Sequence, residues 1–549
     1  MTSENHLDCV IIGHNEPPFE VYEGFLRAYG EDSEAYRDLK FSFIDFDGKK
    51  LNYVDLLNYL YGAARENSTG STAGDELKTC DIPNLAAVYL THYLRKRGFK
   101  ARHINLFQYE KEQLAQYLAE DPLCVAITTT LYVVNFPVHE MVEFIRERSK
   151  TVKIVIGGPL IANHARNYKG AEFSTALDDL RADIYVIEAQ GELALSQIVE
   201  CLKSGESLST VPNIAYFEDG LLHRTKVLPE INSMDENSIE WGIFADEHLG
   251  PTIQTRTARS CAFNCAFCNY PTRAGKLTLT DLGIVERELD SMRDLGNVKN
   301  VVFIDDTLNV PLPRFKDLCR MMIRKDYHFN WFSYFRCSNS DQEAFDLMAQ
   351  SGCRGVFLGV ESGSPQILTN MNKAATVEKY VKGIEMLRQR DIMTFASLIF
   401  GFPGETADTI NETIRFIRDT KPDYYRVQLW YCEAGTPIDF QRQKYGINGE
   451  GFVWTHDTME SLEAMDHIER AFLTITESTW LPQWSFDFWT IPYLLGKGIS
   501  LEQFKELMTR AQKLLALEIA SVSEREKKLL QQGYMQNLVE KVKGWNQVM

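Results

Sequence analysis

Three cysteines stand close together in the stretch SCAFNCAFCNY, at residues 260–270. Cys261, Cys265 and Cys268 have the spacing C-x3-C-x2-C. Thiolates serve as ligands of zinc and of iron–sulfur clusters, and pairs of them serve in redox exchange. The spacing therefore narrows the chemistry to a metal site, a redox pair or a set of inert thiols.

Neither a zinc site nor a redox pair fits a set of three thiols. A structural zinc site needs four ligands, and the sequence offers no second C-x2-C pair. His248 lies upstream across a predicted strand, where its geometry is poor. A redox pair of Cys265 and Cys268 gives Cys261 no role, and three inert cysteines remain the alternative without chemistry. A [4Fe–4S] cluster held by three thiolates keeps one iron open to a ligand from outside the protein.

With Phe267 as the aromatic residue, the pattern C-x3-C-x-aromatic-C resembles the signature of the radical S-adenosylmethionine (SAM) enzymes. The resemblance implies that Cys261, Cys265 and Cys268 hold a [4Fe–4S] cluster whose fourth iron binds the amino and carboxylate groups of SAM. An electron from such a cluster cleaves the sulfonium and yields a 5′-deoxyadenosyl radical. The cofactors carry this chemistry and the protein positions them.

Polar residues at the ends of the predicted strands also resemble that family. They lie in FIDDT (303–307), SYFRCS (333–338) and GVFLGVESGS (355–364). One of two aspartates would contact the SAM amino group, and an arginine would pair with its carboxylate, although a structural ion pair is the alternative for that arginine. The SAM contacts implied by the resemblance are Phe267, Asp305, Asp306, Arg336, Glu361 and Ser362.

The bulk composition excludes some other classes of function. The chain has 549 residues, 44% of them hydrophobic, and a formal net charge of −18. Such an acidic chain argues against a broad nucleic-acid surface, because phosphate binding needs clustered Lys and Arg. Apolar runs are too short for a membrane span, and the N-terminus lacks the features of a signal peptide. Eleven Cys, an odd number, fit reduced thiols, so we expect a cytoplasmic protein.

The elements that position these residues follow two alternating series. In the first 200 residues, strand patterns occur at 7–13, 102–107, 124–130, 153–158 and 183–188, with a helix pattern at 81–99. Continuous apolar strands with crossover helices predict a parallel sheet, here a Rossmann-like domain. Residues 16–80 are expected to be an insertion after the first strand, with a loop at 66–76, and 214–224 reads as a hairpin.

The second series begins just before the cysteines. Strands are predicted at 252–257, 300–304, 329–335, 355–360, 394–400 and 424–430, with helices between them. Six units predict a partial (β/α)6 barrel whose chemistry lies at the C-terminal ends of its strands. The fold class is therefore α/β, with a Rossmann-like domain, a barrel and a mostly helical C-terminal region. The predicted boundaries are 1–210, a hairpin and linker at 211–250, 251–440 and 441–549.

The aromatic stretch TWLPQWSFDFW (479–489) belongs to the C-terminal region. It has two interpretations. The first is a helical cap packed on the barrel, and the second is a segment that lines or closes a substrate cavity.

A sheet domain that precedes this barrel resembles the cobalamin-binding (class B) radical SAM enzymes. The glycines do not follow G-x-G-x-x-G and no D-x-H-x-x-G motif is present, so the resemblance implies a cobalt without a lower His ligand. His103 and His164 are expected to be structural. EAQGE (188–192) departs from the G-E-G-E of many relatives. The implied cobalamin contacts are Gly13, His14, Asn15, Thr128, Thr129, Leu131, Gly157, Gly158, Pro159, Glu188 and Gly191.

A narrower resemblance concerns the substrate. Residues 13–43, 51–62 and the cysteine stretch are similar to the P-methyltransferase family of phosphinothricin-type biosynthesis. This implies methyl transfer from methylcobalamin to an unactivated carbon or to a phosphinate phosphorus, after the 5′-deoxyadenosyl radical has removed a hydrogen atom. A cobalamin enzyme that cyclises or oxidises without methyl transfer, and a non-catalytic Fe–S or cobalamin sensor, are the alternatives.

These resemblances also predict the substrate and the electron donor of the protein. The expected substrate is a small molecule or a peptide-type biosynthetic intermediate, and the expected electron donor is a flavodoxin or ferredoxin. Neither nucleic acid nor a membrane span is expected. The residues that carry catalysis, beyond the cofactor contacts, are not identified by the sequence.

Overall fold

The computed structural model describes residues 6–66, 76–78, 82–132, 134–188, 190–230, 232–247, 249–484, 487–520, 523–543 and 545. The chain forms two compact units. The sheet unit consists of Met1–Pro17, Asp81–Leu249 and Leu279–Gly296, and the barrel unit consists of Pro18–Cys80, Gly250–Thr278 and Asn297–Met549. Most of the predicted loop at 66–76, as well as His248, lies outside the described residues.

The strands are, in chain order, β1 (Cys9–His14), β2 (Phe43–Phe46), β3 (Lys49–Asn52), β4 (Ala101–Leu106), β5 (Cys124–Thr128), β6 (Lys153–Gly157), β7 (Ile184–Val186), β8 (Ile214–Glu218), β9 (Leu221–Arg224), β10 (Thr252–Thr255), β11 (Ala258–Arg259), β12 (Thr278–Leu279), β13 (Asn300–Phe303), β14 (Asn330–Phe335), β15 (Cys353–Glu361), β16 (Met393–Phe400), β17 (Tyr424–Leu429), β18 (Asn448–Glu450), β19 (Val453–His456), β20 (Met459–Glu460) and β21 (Thr479–Trp480).

The α-helices are, in the same order, α1 (Phe19–Arg27), α2 (Glu34–Lys40), α3 (Tyr53–Glu66), α4 (Leu85–Arg95), α5 (Lys111–Ala119), α6 (Phe136–Arg148), α7 (Pro159–Asn167), α8 (Gly170–Asp178), α9 (Glu192–Ser204), α10 (Tyr270–Ala274), α11 (Leu282–Asp294), α12 (Leu312–Lys325), α13 (Gln342–Gln350), α14 (Pro365–Asn370), α15 (Val377–Arg388), α16 (Ala407–Thr420), α17 (Arg442–Tyr445), α18 (Ser461–Thr474), α19 (Thr490–Gly496), α20 (Leu501–Ile519) and α21 (Glu524–Lys543).

The sheet unit is built on a seven-stranded sheet in the order β4-β1-β5-β6-β7-β8-β9. The first five of these strands are parallel, and β8 and β9 form an antiparallel hairpin at one edge. Apolar residues of the strands are buried on both faces, against α5–α8 on one face and α4 and α9 on the other. This arrangement explains the continuous apolar runs, because a parallel sheet buried on both faces needs no polar alternation.

The order of the parallel strands reverses between β1 and β5. The chain passes from β1 to β4 on one side and then returns to β5 on the other side of β1. This is the flavodoxin-like order, in which ligands bind outside the carboxyl ends of the strands at the reversal. The residues that follow β1 and β5 therefore lie at the point where a sheet of this kind binds its ligand.

The barrel unit contains a second parallel sheet, β10-β13-β14-β15-β16-β17, extended by the short strand β21. Helices α12, α13, α15 and α16 connect successive strands. The six predicted units are therefore present, and the C-terminal region adds a seventh strand of two residues. That region is mostly helical and also carries the small antiparallel sheet β18-β19-β20.

Residues 18–80 belong to the barrel unit, although in sequence they follow the first strand of the sheet unit. Arg37 donates to Glu469 at 2.8 Å and to Asp466 at 2.6 Å on α18. The buried Arg426 of β17 donates to Asp38 at 2.8 Å. The segment is thus fastened to the barrel by charge-assisted hydrogen bonds, which are stronger than neutral ones. In the described part of the chain, no helix is long and apolar enough to cross a membrane.

Candidate functional site

The cysteine loop begins directly after β11 and ends at α10. Cys265 is buried, whereas Cys261 and Cys268 are half-buried, and all three are free thiols. Burial raises the pKa of Cys268 to about 11, so this thiol is protonated at neutral pH until a cation binds it. The loop thus presents three thiols of the kind that an iron cluster deprotonates on binding.

Backbone hydrogen bonds hold the middle of this loop in place. The amide of Ala266 donates to the carbonyl of Met371 at 2.8 Å, and the carbonyl of Ala266 accepts from Ile438 at 2.9 Å. Asn372 donates through its side-chain amide to the carbonyl of Asn264 at 2.7 Å. The cysteine positions are therefore fixed by the loops that follow α14 and β17, which makes the loop part of the barrel rim.

Arg336 follows β14 on the same rim. Its backbone is held by Asn309, which accepts from the Arg336 amide at 3.1 Å and donates to its carbonyl at 3.0 Å. The guanidinium lies 3.7 Å from the ring centroid of Phe263, inside the cysteine loop. The side chain is buried, and its Nη2 has no hydrogen-bond partner among the described residues.

An unsatisfied buried guanidinium nitrogen is costly, because it has lost water without gaining another acceptor. A carboxylate is the acceptor that fits a guanidinium fork. Arg336 therefore fits the carboxylate contact that the sequence predicts for it.

The two aspartates after β13 differ. Asp305 is buried and its carboxylate accepts from the amide of Thr257 at 2.9 and 3.0 Å, which fixes the turn after β10. Burial raises the pKa of Asp305 to about 7. Asp306 is exposed to solvent but closely surrounded by protein, which raises its pKa to about 6, and it hydrogen-bonds Tyr270. Of the two, Asp306 has the carboxylate that a ligand amine can reach.

Glu361 ends β15 in a left-handed conformation, with φ of 67°. Its carboxylate accepts from Lys373 Nζ at 2.8 Å, and both side chains are buried. Burial lowers the pKa of Lys373, but the charges of Glu361, Tyr380 and Cys265 together outweigh this effect and the pKa is raised overall. Lys373 also lies 5.4 Å from the ring centroid of Phe267. Sequence reasoning missed Lys373, because a single Lys in a turn has no spacing signal.

Two more predicted SAM contacts lie near the pair of Glu361 and Lys373. Ser362 follows Glu361 in the chain, and the ring of Phe267 lies beside Lys373. Ser362 is fully buried, and its hydroxyl lies 3.2 Å from the hydroxyl of Thr413 on α16. Its Oγ also accepts from the amide of Ser364 at 3.1 Å. The structure thus places Ser362 in a hydrogen-bonded strand–helix contact. Phe267 has its ring against Phe402, with centroids 6.5 Å apart.

Sequence reasoning missed a further residue on the rim, Glu405, in the loop that follows β16. It is fully buried, and its Oε2 accepts from the amide of Gly401 at 2.5 Å. Its Oε1 has no partner among the described residues, and burial raises its pKa to about 8. The carboxyl group is therefore neutral at pH 7 and braces the loop at the end of β16.

In the sheet unit, the predicted cobalamin contacts converge at the strand reversal. Gly13 and His14 end β1 and Asn15 follows, while Thr128 ends β5 and Thr129 follows it. Thr128 donates to the carbonyl of Gly13 at 2.7 Å, so the two strand ends are joined directly. The structure thus brings these five residues together at the edge where ligands of such sheets bind.

Several of these polar groups already have protein partners. Thr129 donates to the carbonyl of Gly157 at 2.9 Å. Asn15 is buried, donates to the carbonyl of Pro137 at 2.8 Å and accepts from Gln108 at 2.8 Å. Among the predicted side chains, His14 retains a ring nitrogen, Nδ1, with no partner among the described residues, and burial lowers its pKa to about 4. The imidazole is therefore neutral at pH 7.

The glycines at this edge are required by packing. A Cβ at Gly158, whose φ is 111°, would lie 2.8 Å from Thr129 Oγ1. A Cβ at Gly191 would lie 2.8 Å from a methyl group of Val186. Pro159 then begins α7, and Leu131 in the loop after β5 is exposed. The described part of the loop after β5 also exposes Val134, so this edge offers apolar side chains to a ligand.

The EAQGE turn precedes α9, and its first residue, Glu188, is half-buried. The first amides of α9 are occupied: Leu193 and Ala194 donate to the carboxylate of Glu230 at 3.0 and 2.9 Å. Sequence reasoning assigned Glu230 to the linker and missed this role. A protein carboxylate thus stabilises the positive end of the helix dipole at this strand end.

No group of three or more His, Cys, Asp or Glu side chains within the described ranges is arranged around a single metal ion. A [4Fe–4S] cluster binds each cysteine at a different iron, so its ligands do not meet at one point. Three free thiols on one short loop, with Arg336 beside them, fit the cluster and the SAM carboxylate. All four of these residues belong to the barrel unit.

Comparison with known proteins identifies the barrel. Residues 255–417 match the model of the radical SAM superfamily. These residues therefore form a radical SAM domain. The uncharacterized methyltransferase PH0819 of Pyrococcus horikoshii is 25% identical over 328 residues, which cover 58% of this chain and 69% of the relative. The anaerobic magnesium-protoporphyrin IX monomethyl ester cyclase of Rubrivivax gelatinosus is 24% identical over 304 residues, covering 52% and 54% of the two chains.

Two solved structures have a fold similar to that of this chain. The methyltransferase TsrM from Kitasatospora setae, solved with cobalamin and a [4Fe–4S] cluster, superposes with a TM-score of 0.55 at 18% identity and covers 66% of this chain and 72% of its own. The cobalamin-dependent SAM radical enzyme OxsB, with aqua-cobalamin bound, gives 0.57 at 14% identity and covers 89% and 85%. The chain therefore shares its fold with these two structures.

Proposed function

We propose that this radical SAM protein is a cobalamin-dependent methyltransferase that transfers a methyl group to an unactivated carbon or to a phosphinate phosphorus. The observation that carries the proposal is the combination of a three-cysteine barrel and a flavodoxin-like sheet in one chain. The likeness to TsrM and OxsB supports it, because both structures hold cobalamin. The methyltransferase name of PH0819 agrees with the reaction type.

In the barrel unit, each residue has a defined task under this proposal. Cys261, Cys265 and Cys268 bind three irons of the cluster. Arg336, whose Nη2 is unsatisfied, binds the carboxylate of SAM, and Asp306 accepts from its amino group. When bound, the cluster and SAM supply a 5′-deoxyadenosyl radical that removes a hydrogen atom from the substrate.

In the sheet unit, the residues at the strand reversal would bind cobalamin. The neutral imidazole of His14 and the exposed side chain of Leu131 offer a polar and an apolar contact. Gly157 and Gly158 pack closely against Val186 and Thr129, which fixes the backbone at this edge. The phosphinate acceptor rests on the resemblance of residues 13–43 and 51–62 to P-methyltransferases, and it remains a prediction.

A second candidate is a cyclisation without methyl transfer. The similarity to the cyclase of Rubrivivax gelatinosus favours it, because that relative also aligns over about half of this chain. The two candidates differ in what becomes of the SAM methyl group.

The test uses SAM that carries a trideuterated methyl group and needs no acceptor. Anaerobically purified protein is supplied with reduced cobalamin and labelled SAM, and the cobalamin is analysed by mass spectrometry. The methyltransferase predicts labelled methylcobalamin together with S-adenosylhomocysteine. Formation of 5′-deoxyadenosine without labelled methylcobalamin would instead support the cyclase, and formation of neither product would exclude both.

A further inference from the structure

The aromatic segment that precedes α19 forms the floor of the barrel. Phe488 is fully buried, and its ring lies 5.9 Å from that of Phe357 and 6.0 Å from that of Phe395. The carbonyl of Pro492 accepts from Thr252 at 2.9 Å and from Asn300 at 3.1 Å, and these two residues begin β10 and β13. The segment and the first turn of α19 therefore close the N-terminal edge of the strands.

Above Phe488, four side chains form one connected group on the inner face. Trp489 Nε1 donates to the hydroxyl of Tyr334 at 3.2 Å, and their ring centroids are 4.7 Å apart. Tyr334 also meets Phe357 edge-on, with centroids 4.8 Å apart. Asp487 accepts from the amide of Trp489 at 2.9 Å. Each residue is thus held by another, so the group is ordered before any ligand arrives.

This group borders an internal space. Tyr334, Phe357, Asp487 and Trp489 are all partly exposed, although protein surrounds Tyr334 and Asp487 on all sides. Accessible surface on a side chain inside a barrel must face a cavity, because the outer face of the strands is covered by helices. The floor of the barrel is therefore aromatic and polar, whereas a simple packing core would be fully buried.

The charges that act on Tyr334 are negative. They belong to Asp487 and Asp306, and with burial they raise the pKa of the Tyr334 hydroxyl. Burial raises the pKa of Asp487 to about 6, which leaves it ionised at neutral pH. A carboxylate near the rings of Trp489 and Tyr334 attracts cations, because aromatic faces are electron-rich. It repels carboxylates and phosphates.

We propose that Asp487, Trp489, Tyr334 and Phe357 form a subsite that binds a protonated amino group of the substrate. The inference rests on the proposed function, since it concerns the substrate of that barrel. Asp487 accepts hydrogen bonds from the ammonium group, and the aromatic rings enclose it. Trp489 fixes the orientation of the Tyr334 hydroxyl, whose oxygen is a second acceptor. The substrate is thus an amine, and if its acceptor atom is phosphinate phosphorus, it is a zwitterion.

The test compares three probes that share one aromatic ring: phenethylamine, 2-phenylethanol and phenylacetate. Their binding to the anaerobically prepared holoenzyme is measured by calorimetry with SAM at saturation and no reductant, so SAM stays intact and fills its own site. We expect phenethylamine to bind about ten-fold more tightly than 2-phenylethanol, and phenylacetate to bind more weakly than either.

Asp487→Asn should abolish the preference for the amine, and its carbonyl oxygen can still accept from the Trp489 amide. Trp489→Phe, which keeps an aromatic ring but loses the hydrogen bond to Tyr334, should weaken amine binding by about threefold. The matched control is Asp408→Asn, an exposed carboxylate on α16, which should leave all three affinities unchanged.

Three results would overturn the proposal: equal affinity for the three probes, an amine preference that survives in Asp487→Asn, or competition between phenethylamine and SAM for one site. Labelled methylcobalamin, measured on the same preparation, reports on the proposed function independently. If the protein forms labelled methylcobalamin but does not prefer amines, the proposed subsite is wrong and the proposed methyltransferase function is still supported.

Discussion

The strand ends of the barrel unit and those of the sheet unit differ in how their polar groups are satisfied. On the barrel rim, Arg336 Nη2 has no partner among the described residues and three thiols are free. At the reversal in the sheet unit, Thr128 and Thr129 donate to backbone carbonyls, and the unpartnered atom reported there, Nδ1, belongs to a neutral imidazole, that of His14.

A buried donor without an acceptor strongly favours a ligand that supplies one, whereas a satisfied donor gains little from a ligand. The two regions should therefore respond differently to substitution. Single changes on the barrel rim should abolish or strongly weaken cofactor binding. Single changes at the sheet edge should have small effects, because many contacts with the backbone share the binding energy.

The largest effect is expected for Cys265→Ala. Loss of one of three ligands should remove the cluster and abolish 5′-deoxyadenosine formation, because the loop at 260–270 contains no further cysteine that could replace it. Iron and sulfide content and the electronic spectrum measure the loss. Cys319→Ala is the matched control, since Cys319 is a buried thiol on α12 far along the chain from the loop. A cluster retained in Cys265→Ala would refute the ligand assignment.

Lys373→Met should lower the free energy of unfolding by about 3–5 kcal/mol, because it leaves Glu361 as an unpaired buried charge. Adding Glu361→Gln should restore much of that loss. Lys505→Met removes a surface partner of Asp423 and should cost less than about 1 kcal/mol. Urea denaturation measures all four proteins, and equal costs for the buried and surface pairs would contradict the prediction.

Arg336→Lys should weaken SAM binding by about 10- to 100-fold while the cluster stays intact, because an ammonium cannot form the paired hydrogen bonds of a guanidinium. Calorimetry with the reconstituted protein gives the affinity. Arg354→Lys, on β15 beside Asn330, makes the same exchange at an exposed guanidinium and should have no effect. Unchanged SAM affinity in Arg336→Lys would show that Nη2 of Arg336 does not bind SAM.

Glu405→Gln should change how stability depends on pH. The pKa of Glu405 is about 8 in the folded protein and 4.5 ordinarily, so its stabilising proton is fully effective below the lower value and is lost as pH rises through the higher one. Stability should fall across this window by up to about 1.4 kcal/mol per pH unit. Thermal melts of Glu405→Gln should show a shallower decline, and identical slopes in both proteins would contradict the assignment.

The smallest effect is expected for Thr128→Val. It removes the hydrogen bond to the Gly13 carbonyl and should cost about 1–2 kcal/mol of stability. Cobalamin affinity should change by less than about threefold, as measured by equilibrium dialysis. Thr175→Val, at an exposed position on α8, is the control. A large loss of cobalamin binding in Thr128→Val, but not in the control, would contradict the expectation that single changes at the sheet edge have small effects.

Much of this arrangement follows from local sequence signals. The barrel strands were predicted within two residues of their observed bounds, because buried parallel strands give continuous apolar runs. The hairpin turns at Asp219 and Gly220, which both have positive φ. The resemblance to the radical SAM family was predicted from the spacing of three cysteines.

Other features depend on contacts that are distant in sequence. Lys373 is tied to Glu361, and Glu230 to the start of α9, by pairings that no local pattern encodes. The membership of residues 18–80 in the barrel unit depends on Arg37 and Asp38 meeting α18 and β17. Asp305 and Asp306 are adjacent and chemically equal in sequence, and only their burial separates a structural carboxylate from an accessible one.

The central claim is that three cysteines leave one iron open for SAM. Pulsed electron–nuclear double resonance on the reduced cluster tests it directly, with SAM labelled by 15N in its amino group and 17O in its carboxylate. The account predicts hyperfine coupling from both labels in the wild-type protein. A cluster that forms with its normal iron content but shows coupling from neither label would contradict it.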